Sequence, residues 1–186
     1  MGILKQLEQT ILNIEAEDYE QALISVMIAI DATAKNEYPR VKQTGERFKR
    51  FLSENMDVIT YAAYGNFIHK LKLPNVFKSI LESEKLTQKE YLELDEIFYH
   101  IVRCNLFHEA EIPISIGFTD EPIIDCQISR IILSKFLVWG MLLIVISAKS
   151  NRRLHFTRDY TMSICNKTIV LNQIWGNREL LLKIIH

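Results

Sequence analysis

Arg103 and His108 stand five positions apart in the stretch IVRCNLFHEAEIP, residues 101–113, and no other segment of the chain is as well suited to chemistry. Cutting an RNA strand without a metal starts from a nucleophile that is already present, the ribose 2′-hydroxyl. One group must move that hydroxyl proton. Another must steady negative charge on the phosphorus-bound oxygens as the transition state forms. Histidine titrates near neutrality and can take or give the proton. Arginine stays charged, and its planar fork of donors matches phosphate oxygens. Asn105, between the two, could orient a phosphate or the imidazole.

Local geometry decides whether the pair can act together. On a straight α-helix of about 3.6 residues per turn, positions five apart point roughly 140° away from each other. Convergence then requires the helix to unwind around Asn105–Leu106, the arginine to fold back, or a second copy of the chain to supply part of the site. Simpler readings remain beside these. Arg103 can pair with Glu96, Glu109 or Glu111 on the surface, and His108 can be a hydrogen-bonded interior imidazole. His100, Cys104 and His108 are spaced by fours along one helix face, so a zinc-binding helical protein is a third reading. At a rise of about 1.5 Å per residue they spread over more than 10 Å, so one ion would take at most two of them. No second cluster completes such a site and no GxxxxGK or GxGxxG loop occurs, so neither a metal nor a cofactor is expected.

The remainder of the chain bounds the setting. Its 186 residues suit one well-buried core, and 1–186 reads as a single domain. A net charge of −1 gives no general attraction to polyanions, so contact with nucleic acid must come from a local basic cluster. Three scattered cysteines form no disulfide framework, and the acidic N-terminal stretch is not a signal peptide, so a cytoplasmic location is expected. The apolar run IILSKFLVWGMLLIVISA, residues 131–148, approaches spanning length but contains Lys135. It reads as a central core helix or a dimer-facing helix, with no membrane partner.

Hydrophobic periodicity places helices over 3–14, over a second stretch capped by Asp18 and stopped by Pro39, and over Val41–Ala63. The third carries Arg47, Lys49 and Arg50, either as a solvated face or as a surface that tracks phosphates. A short helix is expected around Pro74, then a long one capped by Thr87 whose last turn holds the Arg103–His108 motif. Its stripe of Tyr91, Leu94, Phe98, Ile101 and Asn105 would face the core. Residues 1–109 thus form the helical part. Residues 110–186 bring short β-branched runs, an apolar helix from Ser129 to Ala148, a hairpin turning at Asn166–Lys167 and a terminal helix. Arg152 and Arg153, after the apolar helix, are secondary candidates for guiding RNA. Mainly α with small β additions is the fold class this predicts.

RCNLFH, preceded by EIFYHIV, resembles the R-x4-6-H signature of the HEPN superfamily of helical RNases and toxins. About a dozen positions carry the likeness, and the helical layout extends it over two-thirds of the chain. The resemblance implies a HEPN-like bundle that pairs as a homodimer, with two motifs facing across the interface to cut single-stranded RNA without metal in defence, toxin or stress responses. It assigns catalysis to Arg103 and His108, leaving 2′,3′-cyclic phosphate and 5′-hydroxyl ends. Asn105 would support them, although Cys104 stands where many relatives have the polar residue. Glu109 is a further supporting candidate, and Asp31 matches the acidic side chain that some members place on an early helix. A protein antitoxin or regulator is an implied partner, and Ala110 replaces the tyrosine on which nucleotidyltransferase antitoxins act. An inactive, dimeric binding or scaffold module of the same superfamily is the alternative.

Overall fold

The computed structural model describes residues 2–81, 83–103 and 114–186. The N-terminal half is helical, as its periodicity predicts. α1 (Ile3–Glu15) buries Leu7, Ile11 and Ile14 against α2 (Tyr19–Glu37). Asp18 starts α2 by accepting a hydrogen bond from the Gln21 N–H at 3.1 Å, which satisfies one of the donors a helix start leaves open.

The expected helix over Val41–Ala63 is two helices, α3 (Thr44–Glu54) and α4 (Met56–Tyr64). Asn55 separates them with φ −119° and ψ 14°. Its side-chain amide donates back to the Phe51 carbonyl at 2.8 Å, and its Oδ1 accepts from Arg178 at 2.9 Å. A local turn motif and a partner 123 positions away therefore hold the break. The same guanidinium clasps both oxygens of Asp57, at 2.7 and 2.8 Å.

The chain then departs further from its helical pattern. Lys72–Pro74 forms β1, which pairs antiparallel with β2 (Tyr91–Glu93) through Leu73 opposite Leu92. Between them, Thr87 ends the one-turn α5 (Glu84–Thr87) and caps nothing that follows. The next helix starts at Leu94, where Glu93 and Glu96 make a reciprocal capping box that satisfies two open donors. α6 (Leu94–Ile97) passes directly into a π-helical segment, Phe98–Arg103. Leu94, Phe98 and Ile101 are buried as the stripe predicts, whereas Tyr91 lies in β2 and is exposed.

The second half corrects one long element. The apolar stretch is not a helix from Ser129. Arg130–Ser134 is β5, the central strand of a three-stranded sheet, parallel to β3 (Ser115–Thr119) and antiparallel to β4 (Ile124–Gln127). α7 (Lys135–Ser147) follows. Ten of its 13 residues are buried, so it is apolar because protein surrounds it on every side. It packs between α2 and α4. Thirteen residues span about 20 Å, short of a bilayer's hydrocarbon core. Among the described residues, no helix is long and apolar enough to cross a membrane.

A short hairpin and a terminal helix close the fold. β6 (Thr161–Ile164) and β7 (Lys167–Val170) pair antiparallel, and the two turn residues are Cys165 and Asn166, both left-handed at φ 46° and 65°. The turn thus lies one residue before its expected position, the pair of positive φ values being what a tight two-residue hairpin requires. α8 (Arg178–Ile185), capped by Asn177, packs on α7. Mainly α with small sheets is the fold class.

Candidate functional site

Arg103 ends the π-helical segment and faces the middle of α2. Its Nε and Nη2 donate to Asp31 Oδ2 at 3.0 and 2.8 Å. The side chains are 19% and 25% exposed, so the pair is largely withdrawn from water, where charge-assisted bonds strengthen. Of the partners expected for it, Glu96 instead bonds Lys89 at 2.6 Å and accepts from the N–H of Glu93, and Glu109 and Glu111 lie outside the described residues. The Arg103 guanidinium also lies 5.3 Å from the Tyr99 ring centroid, within cation–π range. Asp31 Oδ1 is buried and accepts no hydrogen bond.

The segment that ends at Arg103 is π-helical, not the straight α-helix on which the angular objection rests. Where the ladder runs from i to i+5, residues five apart come nearly into line, unlike residues on an α-helix. That geometry reaches Arg103. Cys104, Asn105, Leu106, Phe107, His108 and Glu109 lie outside the described residues.

The other predicted residues fall on two surfaces. Arg47 is committed to its own loop, donating to the carbonyls of Val41 and Lys42 and to Thr44 Oγ1. Arg50 bonds Glu54 at 2.7 Å and lies over Tyr38. Lys49 points the other way, with Nζ 5.7 Å from the Tyr99 ring centroid and 3.5 Å from His100 Nε2. Arg152 and Arg153 are exposed beside Glu37 at the far end of α2, and line a different cleft from Lys49. The structure therefore brings Lys49 and the Asp31-bound Arg103 to Tyr99 and leaves Arg152 and Arg153 apart.

Two residues that sequence reasoning passed over, Asp95 and Tyr99, join Lys49 and His100 in an open cleft of about 800 Å³ between α3 and the π-helical segment. Tyr99 lies against the first turn of α3 because Gly45 has no side chain, and any Cβ there would overlap the phenol ring. Burial and the Lys49 and Lys89 charges push the His100 imidazole below its ordinary value, against the pull of Glu96. A cationic neighbour at this distance disfavours a metal ion on His100. Among the described residues, no group of three or more His, Cys, Asp or Glu could hold one.

Asp95 is 8% exposed. Burial, then the carboxylates of Glu93 and Glu96, push it from 3.8 up to about 6, against its own backbone N–H and Lys49. The folded protein thus keeps a proton that the unfolded chain releases at lower pH, and the stability tied to Asp95 falls as pH rises from about 4 to about 6. Asp95→Asn is expected to raise the unfolding free energy by about 1–3 kcal/mol at pH 7.5 and to change it little at pH 4. Urea denaturation at the two pH values reads this out, and equal shifts at both would refute it.

No curated protein matches the chain, and no solved structure does. A family model described as Rv1289 matches residues 2–186. The chain belongs to the Rv1289 family.

Proposed function

We propose that this protein is a metal-independent endoribonuclease of the HEPN type, a cytoplasmic homodimer that cuts single-stranded RNA in defence, toxin or stress responses. One observation carries the reading: Arg103 of the RCNLFH motif is held by Asp31, an acidic residue 72 positions away on an early helix. The fork is fixed in direction before any substrate arrives, which is what stabilising a developing phosphate charge requires. In the proposed reaction His108 removes the 2′-hydroxyl proton and the oxygen attacks the adjacent phosphorus. Arg103 neutralises the equatorial oxygens. The 5′-oxygen departs with a proton, leaving a 2′,3′-cyclic phosphate and a 5′-hydroxyl. Twofold pairing would bring the second motif to the same phosphodiester.

The same ion pair favours a second reading, because a carboxylate already engages the arginine that phosphate would need. On that reading the chain is an inactive dimeric scaffold that binds a protein partner, such as an antitoxin. The two separate in one assay on mixed RNA with excess chelator. The enzyme reading expects cleavage that chelator leaves unchanged and that falls at least 100-fold in both Arg103→Ala and His108→Ala, roughly the size of one acid–base or electrostatic contribution. Intact RNA in every sample would leave the scaffold. Sedimentation tests the dimer, and a monomer at assay concentration would sink the shared site.

A further inference from the structure

The cleft between α3 and the π-helical segment combines features separate from the Arg103–Asp31 pair. At one end stands a cationic group of donors. Lys49 Nζ lies 3.5 Å from His100 Nε2, and a neutral ring that accepts there carries its hydrogen on Nδ1. Beside them is the start of α3, an 11-residue helix whose Gln43 makes no side-chain cap. The first-turn amides of such a helix lack intrahelical acceptors and favour an anion. On the other side is Asp95, more than nine-tenths buried and lining the cleft, with no side-chain partner among the described residues. Its own backbone N–H donates to it, but a carboxyl has more acceptor sites than one N–H fills, and a ligand presenting further N–H groups would use them. One ligand must therefore bring an anion and a row of donors. Tyr99, whose ring lies within cation–π range of both Lys49 and Arg103, joins this cleft to the Arg103–Asp31 pair.

We propose that the cleft holds one nucleotide of the RNA chain, its phosphate against Lys49, His100 and the start of α3, and its base edge on Asp95, with guanine preferred. Guanine presents two adjacent donors, N1–H and N2–H, that match the two oxygens of one carboxylate. Uracil offers a single donor on that edge, and adenine and cytosine alternate donor with acceptor. Reading an unpaired base by its Watson–Crick edge is the common route to RNA sequence preference. This subsite rests on RNA being the substrate, and it would make cleavage base-selective next to the cut.

The test uses the full chain titrated with GMP, AMP, CMP, UMP and inorganic phosphate, followed through the His100 ring resonances. GMP is expected to bind about tenfold more tightly than the other nucleotides, the size of one bidentate base contact. Asp95→Asn should abolish that preference while phosphate still binds. Lys49→Gln should weaken phosphate and every nucleotide about tenfold and keep the order. Equal affinity for all four nucleotides, or a preference that survives Asp95→Asn, overturns the proposal. Arg103→Ala separates it from the nuclease reading: cleavage should vanish and GMP binding remain. Base-selective binding without any cleavage would leave the cleft standing and remove the nuclease. Cleavage by a chain that ignores GMP would do the reverse.

Discussion

Gly140→Ala is expected to lower the unfolding free energy by about 2–4 kcal/mol, although alanine is the better helix former by about 1 kcal/mol. Gly140 lies where α7 crosses α4. A Cβ there would stand 2.7 Å from Ile59 Cα, 3.0 Å from the Ile59 carbonyl oxygen and 3.2 Å from Ala62 Cβ. Two of those atoms are backbone, so no rotamer change relieves the overlap. Separating the helices is the alternative, and it opens a gap in a core where Val58, Ile59, Leu142 and Leu143 are all buried. Overpacking of this kind costs more than the propensity returns. For a chain of this size the loss corresponds to a melting temperature lower by roughly 5–15 °C. Gly2→Ala, with nothing within 4 Å of its Cβ, should leave the transition within about 1 kcal/mol of its original value. A Gly140→Ala protein as stable as the parent would mean that α4 and α7 do not approach this closely.

Asp31→Ala should produce the largest functional loss outside the motif itself. Two bonds at 2.8 and 3.0 Å leave with the carboxylate, and Arg103 keeps its charge in a site where its side chain is 19% exposed. Breaking a partly buried pair by deleting one member costs about 1–3 kcal/mol, because the remaining charge is left poorly solvated. Asp31→Ala combined with Arg103→Ala should therefore destabilise by less than the two single losses added together, the signature of a direct pair. On the nuclease reading Asp31 is a positioning residue. Its removal should lower kcat by about 30–100-fold and leave KM nearly unchanged, since the guanidinium's direction matters most as charge develops on the phosphate. Asp31→Asn, which keeps an acceptor at the same place, should recover part of that loss. A rise in KM with kcat intact would assign the pair to RNA binding alone.

Both sites depend on contacts that the linear chain conceals. Local signals were sufficient where a segment's own pattern decides its state. α1 and α2 follow from apolar spacing, with Asp18 capping α2 and the helix ending at Glu37, before Pro39. The β-branched runs IPISIGF and EPIIDCQIS overlap the strands Ser115–Thr119 and Ile124–Gln127, and the terminal helix lies where its periodicity places it. The residue types that suit phosphate chemistry at Arg103 and Lys49 were equally legible, because ionisation and donor geometry belong to the side chain itself.

Tertiary structure decided the rest, through energies that arise only between distant segments. RIILS at 130–134 is apolar enough for either a helix or a strand, and pairing with β3 and β4 selects the strand. Leu92, on an extended helical pattern, lies instead in a strand opposite Leu73. The α3–α4 break is held by Arg178. Asp31 meets Arg103 across 72 positions, and Lys49 meets His100 across 51. Spacing along a sequence reports the period of one element, whereas the partner of a charged side chain is set by which elements share a core, and that depends on burying apolar area in the whole molecule at once.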